Sequence, residues 1–140
     1  VEMGANHQKE IAFLCTICEP DFGYITNFGK AHLEGFGGFT GVIKGKCELY
    51  TFLKENDKIA FVNPDDALQM EKTKGLQTIH FKAADLLFLG VNPFVKLSYK
   101  GQSIQSNLIG NYNYANLAAA IGLQGYPHSL YKLSVPKFSG

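Results

Sequence analysis

The stretch Thr26–Lys46, TNFGKAHLEGFGGFTGVIKGK, decides how this chain folds and where chemistry can sit on it. It leaves a short β-rich run, Phe22–Asn27, and gathers His32, Glu34, Gly29, Gly35, Gly37 and Gly38 in one loop. It then enters a helical pattern carrying Lys44 and Lys46. Glycine opens backbone conformations closed to other residues, and loops on a rigid scaffold commonly hold ligands. The pattern predicts a strand, a ligand-holding loop and a helix, in that order.

Working outward, Asn6 is placed to cap a helix whose first turn carries Glu10, favourable at the positive end of the helix dipole. Ile11, Leu14, Ile17 and Cys18 recur at helical spacing and predict its buried face, and Pro20 ends it. Val1–Met3 reads as the end of a strand. After the glycine loop the helix runs to about Lys54, followed by a strand at Lys58–Val62, a short helix at Asp65–Lys72 and a strand at Thr78–Phe81. The rhythm then changes. Leu86–Val91, Phe94–Tyr99 and Ser103–Ile109, separated by Asn-Pro and Lys-Gly turn signals, read as an antiparallel meander, and Asn113–Leu123 as an alanine-rich helix. The expected fold is α/β: a partial parallel sheet with flanking helices, plus a small antiparallel three-stranded subsheet. Residues 1–124 make the domain, and 125–140 an irregular tail.

Composition narrows the function. With 140 residues, 46% apolar and 18% charged, the chain suits one domain with its own core. A net charge of +1 gives no footprint for nucleic acid or an anionic membrane. No apolar run approaches the roughly 18 residues of a membrane span. Three cysteines point to reduced thiols and a cytoplasmic setting.

If the strand ending at Glu2 lies parallel to Phe22–Asn27, both finish at the sheet edge where open α/β sheets bind ligands, with His32 and the lysine-bearing helix nearby. Glu2 as a solvated strand end and His32 as an ordinary loop histidine is the competing view. Gly45-Lys46-Cys47 is not a phosphate loop, because Thr40 replaces its first glycine and Cys47 its Ser or Thr. Gly35-Phe36-Gly37 fails the dinucleotide fingerprint at Thr40. Cys15-x-x-Cys18 has no second pair and reads as core packing. His32-x-Glu34 lacks the downstream cysteines of a zinc deaminase. Asn113 and Asn116, three apart at a helix start, share a face that can read the edge of a base such as adenine; helix capping by Asn111 or Asn113 competes.

Glu2-Met3-Gly4-Ala5-Asn6-His7, Thr26–Gly37 and Lys44-Gly45-Lys46-Cys47-Glu48 together closely resemble the central domain of Mur ligases. The Ala31-His32-Leu33-Glu34 run is similar to the branch that joins D-Ala-D-Ala to UDP-MurNAc-tripeptide. The resemblance covers Val1 to about Leu123. It implies an ATP-dependent amide-forming ligase of peptidoglycan synthesis that works through an acyl phosphate with Mg²⁺. It also implies that Glu2 and His32 bind the metal and that Lys46 is carbamoylated to supply a third metal-binding group. Asn113 and Asn116 would lie near the nucleotide, Asn116 toward adenine. Tyr112 stands where the family often has histidine. On spacing alone, His32 would point to Mn²⁺ or Zn²⁺, since Mg²⁺ prefers oxygen; the resemblance favours Mg²⁺. The family's phosphate loop and its two outer domains are not in these 140 residues, so the chain is expected to be inactive alone and to pair through an open sheet edge. A folylpolyglutamate synthase-like ligase and a non-catalytic nucleotide-binding or assembly module are the rival expectations.

Overall fold

A computed structural model describes residues 1–29, 33–80 and 86–124. Lys30–His32, Phe81 and the expected tail 125–140 lie outside them. The described chain holds two three-stranded sheets. In order, the elements are α1 (Glu10–Cys18), β1 (Phe22–Tyr24), α2 (Leu33–Phe36), α3 (Phe39–Glu55), β2 (Ile59–Val62), α4 (Ala67–Lys72) and β3 (Gln77–His80). Then follow β4 (Leu86–Val91), β5 (Phe94–Tyr99), β6 (Gln102–Ile109) and α5 (Tyr112–Gln124). The first sheet is parallel with order β1-β2-β3, pairing Gly23 with Ala60 and Ala60 with Thr78. The second is an antiparallel meander, β4-β5-β6, with bulges at Phe88/Gly90 and Phe94/Lys96. The expected α/β fold with an antiparallel subsheet is what forms.

The parallel half closes around α3. Leu49, Tyr50 and Leu53 of this helix form one core with Ala60 and Val62 of β2, and Val42 is buried on the same helix. Gly23 lets that helix approach β1, because a Cβ there would lie 2.8 Å from Leu53 and 2.9 Å from Leu49. A second core forms where Leu86 and Leu97 meet Ala118 and Ala119 of α5. Tyr24 packs against this second core from the parallel sheet and joins the two halves.

Three local expectations are corrected. Val1–Met3 is not a strand: no described strand pairs with the outer side of β1, and Met3 and Ala5 pack sideways onto the first core instead. Asn6 does not cap α1. The Glu10 carboxylate accepts the amides of Asn6 (2.7 Å) and His7 (3.1 Å), so that turn is closed before the helix starts. Of the expected face of α1, Ile11 is buried and Leu14 packs on the first core, with Cys15 buried between them, whereas Ile17 is 65% exposed and is not part of the buried stripe. Element ends otherwise differ by a few residues, β1 being the shortest at Phe22–Tyr24.

Candidate functional site

All three strands of the parallel sheet end at one rim, where β1 runs on through Ile25–Asn27 and β2 into Asn63. Lys46 lies there. It stands on α3, half-buried, and its Nζ donates to the Asn27 carbonyl at 2.7 Å. Burial pushes its pKa below the usual lysine value, and no carboxylate among the described residues offsets that cost. The helix therefore delivers an amine to the end of β1, as the Thr26–Lys46 stretch predicts.

The same rim is clasped by Gln69, which is only 1% exposed. Its Nε2 donates to Ile25 O at 2.9 Å and to Asp66 Oδ2 at 3.2 Å, while its Oε1 accepts Asn63 N at 2.9 Å. One side chain thus ties the exits of β1 and β2 to α4. Asp66 caps that helix by accepting the amides of Leu68 and Gln69, one residue later than the expected start at Asp65. Nothing in the pattern marks Gln69: a polar residue between Leu68 and Met70 reads as solvated until the strand ends it bridges are known.

Glu2 is exposed, and among the described residues its carboxylate makes no hydrogen bond or ion pair. Residues just after it are firmly placed. Glu48, on α3, accepts Lys9 N at 2.6 Å and Ala12 N at 3.0 Å. Gln8 Nε2 donates to Phe36 O at 3.4 Å. His32 lies outside the described residues. Among those residues, no three His, Cys, Asp or Glu side chains form a metal-binding group.

The loop glycines have a structural task that the sequence does not disclose. A Cβ on Gly35 would strike the Asn6 carbonyl, one on Gly41 the Phe36 carbonyl, and one on Gly45 the Phe36 ring. Phe36 is buried against this glycine face of α3. Gly37 (φ 73°) and Gly38 (φ 96°) make the left-handed turn between α2 and α3. These glycines bring the N-terminal segment, α2 and α3 into close contact.

Asn113 and Asn116 do share a face of α5. Asn116 Nδ2 donates to Asn113 Oδ1 at 3.1 Å, and Asn113 Nδ2 donates to Ile109 O at 2.9 Å. Asn113 is thus used in joining β6 to the helix, while Asn116 keeps its carbonyl oxygen and one N–H. Tyr112 is 72% exposed. At the opposite rim, an open cleft lined by Thr16, Glu19, Asp21, Phe52, Asn56 and Lys58 is crossed by the Lys58–Asp21 ion pair. It lies at the wrong end of the strands for the predicted chemistry.

The family model for the Mur ligase middle domain matches residues 1–124. The UDP-N-acetylmuramoyl-tripeptide–D-alanyl-D-alanine ligase of Haemophilus influenzae is 30% identical over 138 residues, covering 88% of this chain and 29% of its own length. That of Escherichia coli is 46% identical over 66 residues, 47% of this chain and 14% of the relative. MurF from Acinetobacter baumannii superposes with a TM-score of 0.68 at 27% identity, covering 93% of this chain and 32% of that one. MurF ligase from Thermotoga maritima, solved in complex with ADP, gives 0.64 at 27% identity, over 89% and 31%. The chain spans less than a third of the length of these relatives. A parallel sheet with a half-buried lysine at its rim, joined to an antiparallel meander and matched over residues 1–124, places the chain in the Mur ligase middle-domain family.

Proposed function

We propose that this chain is the metal- and nucleotide-holding part of a cytoplasmic ligase that joins D-Ala-D-Ala to UDP-MurNAc-tripeptide. In that reaction the terminal carboxylate of the tripeptide takes the γ-phosphoryl group of ATP, giving an acyl phosphate and ADP. The amine of D-Ala-D-Ala then attacks the acyl carbon, the C–O bond to phosphate breaks, and an amide and inorganic phosphate result. Phosphoryl transfer depends on positioning and charge neutralisation more than on covalent help from the protein. Mg²⁺, when bound, supplies that neutralisation across the phosphates.

The observation that carries this proposal is the desolvated Lys46 amine held against Asn27 O at the strand exit. As an ammonium it would repel a divalent cation. As a carbamate, formed from the neutral amine and CO₂ with loss of a proton, it offers the oxygen donors that Mg²⁺ prefers. Burial favours the neutral amine that this reaction needs. Glu2 brings a carboxylate with no described protein partner, so the donor chemistry fits the ion. Glu2, His32 and carbamoylated Lys46 would hold it. Asn116, with a free acceptor and donor, would face adenine, and Asn113 would fix it in place.

Two experiments test the proposal. With ¹³C-bicarbonate, the chain should show a carbamate carbon resonance that Lys46→Ala abolishes; no such signal in the unaltered chain overturns the role of Lys46. Given ATP, UDP-MurNAc-tripeptide and D-Ala-D-Ala, the 140-residue chain should release no phosphate, since it holds no phosphate-loop motif. Clear turnover would refute that. No described strand pairs with the outer edge of β1, and pairing of two copies there is part of the same proposal. A strictly monomeric sedimentation profile would remove it.

A further inference from the structure

We propose that Glu48 is a positioning residue that sets the distance between Glu2 and Lys46 without touching the ion; this rests on the metal site proposed above. Helix α1 has no cap of its own. Lys9, at its N-cap position, is left-handed (φ 74°) and makes no side-chain cap bond. The first-turn amides of a helix need acceptors, and a carboxylate also complements the positive end of the dipole. Glu48 supplies both of its oxygens, one to Lys9 N and one to Ala12 N, from a different helix 36 to 39 residues away. Because both oxygens are engaged by backbone amides, the carboxylate serves as a bracket.

The bracket sits where it links the two ligand-bearing segments. Glu48 follows Lys46 by two residues, about 200° around the helix axis at roughly 100° per residue. Lys46 reaches the exit of β1 while Glu48 reaches the start of α1. On the other side, Gly35 presses on Asn6 O and Gln8 bonds to Phe36 O, whose ring lies on Gly45 of α3. Residues 6–9, separated from Glu2 by three residues, are therefore fixed to α3 from two directions. Loosening Glu48 frees one of them.

The test uses the chain with bicarbonate, Mn²⁺ alone as the probe ion, and hydrogen exchange at the Lys9 and Ala12 amides. Glu48→Gln replaces one acceptor oxygen with an NH₂ group. Exchange at one or both amides should speed up about tenfold or more, and Mn²⁺ binding should weaken about tenfold. Lys9→Asn in the Glu48→Gln background eases the left-handed backbone, restoring stability without restoring the bracket. The double variant should regain its unfolding midpoint but not its Mn²⁺ affinity. If Mn²⁺ affinity is unchanged in Glu48→Gln, or returns in the double variant, Glu48 only stabilises α1 and the proposal falls while the metal site stands. If the unaltered chain binds no Mn²⁺ at all, the metal site fails, and this proposal with it.

Discussion

The two halves of the molecule are held together by different means. In the parallel half, the decisive contacts join residues far apart in sequence: Glu48 to Lys9 and Ala12, Gln69 to Ile25, Lys46 to Asn27, and Phe36 to the glycine face of α3. In the meander, neighbouring strands pair in sequence order. Its side-chain bonds are short-range, as where Ser106 Oγ donates to Val95 O and accepts Leu108 N. In burial the halves are alike: Val42, Leu53 and Val62 are buried in one and Val95 and Leu97 in the other, while Phe13 and Ile17 in one and Leu87 and Ile109 in the other are largely exposed. Long-range closure makes a rigid rim for a ligand and makes that half intolerant of change.

Glycine substitutions should break this contrast most sharply. Gly41→Ala drives a methyl group into the Phe36 carbonyl, a backbone atom that cannot step aside, and should cost about 3 kcal/mol in urea unfolding. Gly90→Ala meets open space and carries only the strain of its φ of 132°, about 1 kcal/mol. Equal losses would mean that α2 does not press on α3 as described. Next is Gln69→Leu, which strips partners from Ile25 O and Asn63 N at a fully buried position and should cost about 2 kcal/mol. Ser106→Ala in the meander should cost about half that or less.

What the sequence discloses follows the same division. The meander strands and α5 were legible to within a residue or so, because alternation, turn signals and alanine content are local. Lys46 at the strand exit was legible from the resemblance and from the strand–loop–helix order. The tasks of Gly35, Gly41 and Gly45 were not: their glycine content suggests a ligand cradle, and only the packed position of Phe36 reveals close helix contact. Glu48 and Gln69 were missed as clasps for the same reason, since their partners are backbone groups that any residue supplies. The expected cap by Asn6 does not form because the Glu10 carboxylate closes that turn by accepting the Asn6 amide.

The half built from distant contacts should also respond to alkaline pH. Cys15 is fully buried, and burial, with smaller contributions from Cys18 and Glu48, pushes its thiol up to about 11 from an ordinary 9.0. A thiol held neutral in the fold ionises first in the unfolded chain. Stability is therefore intact below pH 9 and falls as pH rises from 9 toward 11, by about 1–3 kcal/mol. Cys47, Tyr24 and Tyr50 are raised too and add to the fall. Cys15→Ala should flatten the curve between pH 9 and 11; an unchanged slope would assign it to the other three.

The smallest effects belong on the outer face of β4, where adjacent residues point to opposite sides. Leu87 is 64% exposed while Leu86 is 5% exposed, although the run reads uniformly apolar in sequence. Leu87→Lys should change the unfolding free energy by no more than about 0.5 kcal/mol. Phe88 differs, because its ring lies 5.0 Å from that of Tyr114 on α5 and helps hold the helix to the meander. Phe88→Ala should cost about 1 kcal/mol, in line with a tilted aromatic pair. A large loss at Leu87 would mean that this face is covered in solution, and the copy-to-copy pairing proposed at β1 would then have to be sought on the meander.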